Sequence, residues 1–521
     1  MKRSILLAAA AVLAMAGAAR AQTVSPFYEL TLDGRPTFQY GSQADCDNGA
    51  LAAAAWPEVQ AKGSAVVFDC PRRLRLMLAA GSVVTPVAPA VVTPPAAASR
   101  GLSAACESVV ASDFSPSTSQ VIGSLSTLAK PARGTAVREP AFGSCLVRAT
   151  DHGADGVAGI ARNEYSRRQA FNADSSKHLV VGSDGYWHVY DVATHAHLSK
   201  LPSFGVDPEP QWHPTDPNLL FVLPNQGAGL TIKQVDVRTG EVSTFSDFSG
   251  PLKALWPNAG LAYTKDEGSP SKDGRFWCFM VRDPSKSING SWAGVGVFGW
   301  DAQAGKITGS MATTEVPDHV SASPSGQFCV VSSDGALGTA AYRMTDFTKK
   351  TQLLQDSQHS DLALAADGRD VYVTVSYGNS ALATDGEMFF RYLDTGEKVT
   401  LIDNVYKQPA YIGAVHFSGK AFNRPGWILM DTDADDGDQG SGQKAPTSWM
   451  QRKVMAVQLK ASPTIYTLAH TRAIYMPGGA AAPLASVNRD FTRIAFNSNW
   501  GVAIDSDVDV YMLEIPAGVI K

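Results

Sequence analysis

Basic runs are missing from this sequence. No Lys/Arg-rich stretch stands out among its 521 residues and the net charge is -5, so nothing in it builds a positive field for nucleic acid. After the N-terminal stretch, no apolar segment is long enough to cross a bilayer. No Cys-x-x-Cys spacing occurs, which argues against a thiolate metal site. Neither a serine-nucleophile motif nor a phosphate-binding glycine loop is found, which weighs against serine hydrolase and nucleotide chemistry. Six cysteines are too few for a dense disulfide framework. Cys46 with Cys70 and Cys106 with Cys145 are the expected pairs, while Cys278 and Cys329 sit in apolar strand positions and read as buried free thiols.

What the chain has instead is one phrase used seven times: a polar turn with Asp, Gly or Pro, then an apolar burst of strand formers. The copies begin at Asn172, His213, Pro270, Ala322, Leu364, Asn423 and Asn488. They recur roughly every 40–65 residues, the spacing of one propeller blade with loop insertions. Each copy fits the hairpin between the first and second strands of a blade. Third strands follow, such as Trp187-His-Val-Tyr-Asp-Val, and Thr-Gly-Glu turns at Thr239 and Thr395 lead into fourth strands. The last copy runs out of chain before its fourth strand, and Cys145-Leu-Val-Arg-Ala-Thr is expected to supply it. The fold predicted is all-β: a seven-bladed β-propeller in which an N-terminal strand closes the last blade, leaving no open sheet edge between the chain ends.

The N-terminus reads as a charged Met1-Lys-Arg, an apolar Ile5–Ala18 stretch and an Ala19-Arg20-Ala21 cleavage site. Residues 1–21 are therefore an expected signal peptide, and the mature protein is expected in the periplasm or outside the cell. Residues 22–82 read as a small module and 83–104 as a Pro/Ala-rich linker. The propeller is expected over 105–521.

Alternating strand direction sends the inter-blade loops and the second-to-third-strand loops to one face. The polar residues assigned to the inter-blade loops are Asp151, His152, Arg162, Asn163, Glu164, Tyr165, Arg167 and Arg168 before blade one, and Glu209 and Gln211 before blade two. Lys265, Asp266 and Glu267 are assigned before blade three, Asp318 and His319 before blade four, and His359 and Asp361 before blade five. Tyr411 and His416 enter blade six, and His470 and Arg472 precede blade seven. Five of the ten histidines fall in this set, which makes a central funnel the candidate site. The run Asp431-Thr-Asp-Ala-Asp-Asp-Gly-Asp has alternate carboxylates, but its sixth and twelfth positions are Asp436 and Gly442. It is not an EF-hand, and reads as a solvated acidic loop or a calcium site.

The blade phrases resemble those of exported TolB-like (WD40-like) propellers. From about Cys145 onward the chain is similar, more narrowly, to oligogalacturonate-lyase-type propellers, through Gln211-Trp-His-Pro-Thr-Asp-Pro-Asn, Asp266-Glu-Gly-Ser-Pro-Ser-Lys-Asp-Gly-Arg, His416-Phe-Ser-Gly and Phe496-Asn-Ser-Asn-Trp-Gly. The resemblance implies β-elimination on uronic-acid oligosaccharides with a divalent metal, Mn or Ca, in the funnel. The sequence departs from that pattern in that no blade entry carries a His-x-His ligand pair or a His-Glu pair. Elimination needs a group to neutralise the carboxylate, a base for the C5 proton and an acid for the departing O4. His416 and His359 are assigned as base or metal ligands, Tyr165 as acid/base, and Arg162 or Arg168 to the carboxylate. His319 and His470 are further metal ligands, and Glu209, Gln211, Glu267 and Arg472 contact substrate. The competing expectation is a non-catalytic propeller that binds an envelope protein or a polysaccharide through the same face.

Overall fold

A computed structural model describes four short strands before residue 101. From 101 onward it describes every residue except 121, 123–124, 126, 158, 206, 266, 289–290, 406–413, 434–447, 475–479 and 503–505. The chain divides into two compact units, Met1–Pro95 and Ala96–Lys521. In the first, Tyr28–Leu32 pairs antiparallel with Arg35–Tyr40, and Val67–Cys70 with Leu74–Met77. Cys46 lies outside the described residues, and with it the expected Cys46–Cys70 pair.

The second unit is a seven-bladed β-propeller. Blades one to six are four-stranded antiparallel sheets whose first strands are Ala161–Arg162, Gln211–Trp212, Leu261–Tyr263, His319–Ala322, Ser360–Leu364 and Val415–Ser418. Blade seven takes Ser486–Val487, Arg493–Ser498 and Asp509–Glu514 from the C-terminal end, then Cys145–Arg148 as its fourth strand, as expected, and Ala136–Arg138 as a fifth. Among the described residues, no helix is long and apolar enough to cross a membrane.

The apolar bursts follow from burial on both faces, since successive side chains of a strand point to opposite sides. In Leu219–Val222, Leu220 and Val222 pack toward blade one, whereas Phe221 packs toward blade three. Seven apolar clusters result, one at each blade junction. The ring is thus held by repeated sheet-on-sheet layers rather than by one central core.

Two disulfides add covalent ties. Cys106–Cys145 forms as expected, with Cα atoms 5.5 Å apart. Cys278–Cys329 corrects the free-thiol reading: the two residues lie on the second strands of blades three and four, with Cα atoms 5.4 Å apart. The lateral match between neighbouring blades that brings them together leaves no trace in local sequence.

Two first strands are interrupted. In blade one the ladder runs through Ala161 and Arg162, is lost, and resumes as a single bridge at Phe171. In blade three it stops at Tyr263, and a hairpin contact resumes at Ser271. Tyr165, Arg167 and Arg168, and likewise Lys265 and Glu267, therefore follow the first strands of their blades instead of preceding them.

Candidate functional site

Residues 163–169 leave blade one and lie across the axis of the ring. Asn163 donates through Nδ2 to the Leu484 carbonyl, Arg168 through Nη1 to that of Pro210, and Gln169 through Nε2 to that of Lys420. Ser269 and Ser486 donate their hydroxyls to the carbonyls of Arg167 and Arg168. This one segment thereby touches blades two, three, six and seven by hydrogen bonds to its own polar groups.

Arg167 reaches the other two. Its guanidinium donates to the carbonyls of Ser360 and Gln358 (3.0 Å for the latter) at blade five, and lies 2.9 Å from Nε2 of His319 on blade four. It also pairs with Glu267. Burial works against the Arg167 charge, but Glu267 together with Tyr165, Tyr372 and Asp361 holds the guanidinium above its ordinary range. Burial, reinforced by Arg167, keeps His319 below the usual imidazole value, so the ring accepts from the guanidinium as a neutral group. Glu267 gets so close because Gly268 has no side chain: a Cβ there would overlap the Val320 carbonyl oxygen. Asp318, hydrogen-bonded to His319 and 2.9 Å from the Lys265 ammonium, is held below the carboxylate range by those two partners.

Beside this network, His359 and His416 stack with ring centroids 4.8 Å apart. Tyr165 meets His416 edge-on at 6.1 Å, and Tyr377 meets His359 likewise at 5.5 Å. His359 Nδ1 lies 3.2 Å from the Val415 carbonyl. A carbonyl only accepts, so Nδ1 carries the proton and Nε2 keeps its lone pair. Burial lowers the His359 pKa to about 3, so the ring is neutral near pH 7. His416 behaves oppositely. Burial disfavours its charge, yet Asp431, 3.2 Å from Nδ1, raises it above the ordinary value. Burial also lifts the Tyr165 phenol, which stays protonated.

A cleft of about 310 Å³ opens over these groups, lined among others by Tyr165, Arg167, Glu267, Asp318, His359 and Tyr377. Glu267 and Asp318 at its wall form one candidate ligand group with His319, and a second group, His416/Asp431/Asp433, is buried beside the His359 ring, each with its ligand atoms within 4.8 Å of one another. At the first, Arg167 already supplies the positive charge. The second, three buried residues led by an imidazole and a carboxylate, suits a divalent cation better.

No family model and no curated protein matches this chain. Solved structures do. An oligogalacturonate lyase in complex with manganese aligns at TM-score 0.49 and 15% identity, covering 75% of this chain and 100% of its own. The oligogalacturonate lyase of Vibrio parahaemolyticus aligns at 0.50 and 12%, covering 74% and 99%. Kuenenia stuttgartiensis hydrazine synthase aligns at 0.42 and 12%, covering 69% and 97%. The likeness is one of fold.

Of the residues singled out in the sequence, Tyr165, His359, His416, His319 and Glu267 come together at the mouth. Arg162 lies half-buried in the blade-one ladder opposite Val181 and does not line the cleft. Arg168 is buried, hydrogen-bonded to Glu164 and Pro210, over the Trp187 ring. The buried Glu209 carboxylate accepts from the Thr264 backbone N–H and hydroxyl, tying blade two to blade three. Gln211 donates to the Gly268 carbonyl and lines a different pocket. His470 and Arg472 form a separate group with Glu139: Nδ1 of His470 is 3.1 Å from its carboxylate, and Arg472 lies over Trp500. Tyr411, Asp266 and most of the acidic loop after Asp433 lie outside the described residues. Arg167, which organises the mouth, was one member of the funnel set with no role attached.

Proposed function

We propose that the central mouth is a lyase site that cleaves uronic-acid-containing glycans by β-elimination. The observation that carries this reading is the stacked His359–His416 pair with the Tyr165 ring at its edge, of which His359 and Tyr165 line the cleft. His359, neutral with Nε2 unprotonated, accepts the C5 proton. The C4–O4 bond breaks as the new double bond forms, and Tyr165, protonated at working pH, gives its proton to O4. Asp431 orients His416, which keeps the His359 ring in place.

Carboxylate neutralisation falls to neither predicted arginine, because Arg168 is engaged with Glu164 and Arg162 is outside the cleft. His416, Asp431 and Asp433 would hold a divalent cation, which would supply that charge. The two disulfides support export to the periplasm or the cell exterior, where such substrates are met and thiols are oxidised.

Incubation with pectic, ulvan and glucuronan fragments is expected to raise absorbance near ~235 nm, the band of the unsaturated uronide that elimination leaves. His359→Ala and Tyr165→Phe are each expected to lower kcat about 10²-fold or more, with the melting transition retained. Full activity in both variants would remove the site, and no chromophore on any substrate would remove the reaction.

One observation favours a second reading. Glu267, Asp318 and Asp334 line the cleft, whereas the Arg167 charge is committed to Glu267. A mouth of that sign suits a basic segment of an envelope protein, held without chemistry. Saturable peptide binding with no chromophore on any glycan would select it.

A further inference from the structure

The other end of the ring axis has the opposite chemistry. There a pocket of about 30 Å³, room for about two water-sized groups, is lined by Gln169, Gln211, His213, Lys272, Lys420 and Arg489 among others. Among its described lining residues none is Asp or Glu. The charge of Lys420 is spent on Asp361 at 2.9 Å. That of Arg489 is not.

The Arg489 guanidinium lies over the Phe422 ring, 5.4 Å from its centroid, and its one hydrogen bond among the described residues is Nη2 to the Lys272 carbonyl at 3.0 Å. The two carboxylates whose charge it feels make no ion pair with it. Asp490 accepts from Asn423 Nδ2 at 2.7 Å, and Asp273 accepts from the Ser271 hydroxyl and the Arg275 N–H. Burial accordingly weakens the charged form and draws the group down to about 10. His213 brings one more nitrogen: Nδ1 accepts from the Asp216 and Thr215 N–H groups, so Nε2 carries the ring's proton. With one carbonyl as its described partner, the part-buried guanidinium keeps several N–H donors open at the pocket, and an oxyanion takes such donors bidentately.

We infer that this second mouth is an anion-binding site, in which Arg489, assisted by His213 and Lys272, takes a small oxyanion of carboxylate or phosphate type. It is independent of the lyase reading, since the segment 163–169 lies between the two mouths. A pocket of this size admits one or two oxygens of the anion, and the rest of the molecule stays outside.

Isothermal titration at constant ionic strength tests it with acetate, inorganic phosphate and sulfate, with chloride as the screening control. Saturable binding of acetate or phosphate is expected, weakened at least about tenfold in Arg489→Gln and less in Lys272→Ala, since one charge-assisted hydrogen bond carries about 1.4 kcal/mol or more. A preference for acetate over phosphate assigns a carboxylate ligand, and the reverse a phosphate. His359→Ala, at the opposite mouth, is expected to bind as the parent does. No saturable heat with any oxyanion, or equal affinity in Arg489→Gln, would overturn the site. Should Arg489→Gln melt early, Arg489→Lys keeps the charge but loses the bidentate fork and is expected to bind weakly while folding normally.

Discussion

His178 shows what one side chain contributes. It is fully buried against Tyr190 and Phe171, and among the described residues neither ring nitrogen has a hydrogen-bond partner. Burial lowers its pKa to about 3, and burial lowers that of His195 to about 4. The unfolded chain protonates such rings near pH ~6.5, so below that value the unfolded state binds more protons than the folded one. Stability is therefore level above about pH 6.5 and falls as pH drops toward the folded values, by up to about 1.4 kcal/mol per unit per ring. Urea unfolding between pH 7 and 4 should show this slope, and His178→Phe should flatten it. An unchanged slope would mean that the acid sensitivity resides elsewhere. Sequence separates the two rings by position, His178 in an apolar burst and His359 at a blade entry, but not by charge state, which the folded neighbours set.

Arg167 marks the scale of the element. The excursion 163–169 and the loop carrying Glu267 meet through one buried ion pair, and Arg167→Met would leave Glu267 without its partner. Because Glu267 is partly open to water, the expected loss is about 2–4 kcal/mol, below the full penalty for a dry pair; equal urea midpoints for parent and variant would contradict it. Across the blade-three to blade-four junction, the Cys278–Cys329 bridge closes a separation of 51 residues, for which chain entropy gives about 4 kcal/mol. The Cys278→Ala/Cys329→Ala pair should unfold at lower denaturant than the parent, and a parent whose midpoint ignores reductant would show the thiols unbridged. The turn phrases revealed each blade's hairpin, and so which residues lie near the first strands. They could not reveal that two first strands break, because a broken ladder and a blade-entry loop are equally polar in sequence. His359 and His416 were legible as mouth residues for the first reason. The role of Arg167 was not legible, for the second.

For the molecule as a whole, seven copies of one phrase and a missing last strand were enough to read the ring and its closure. The fifth strand of blade seven, Ala136–Arg138, was not legible: three residues without a repeat partner carry no periodic signal. The distribution of charge around the axis was hidden for a related reason. Carboxylates line one mouth and cations the other, although the net charge of -5 is unremarkable and both kinds of residue come from loops scattered along the chain. An axial asymmetry of this kind exists only once the ring is closed.

The strap of residues that spans the middle of the ring governs how a long ligand must travel. With the bore obstructed, a polymer cannot be threaded from face to face, and whatever is drawn in must back out through the opening by which it arrived. Chain ends and short fragments are suited to such a dead-end chamber, so cleavage by the proposed lyase site would proceed by separate encounters, each releasing its products before the next begins.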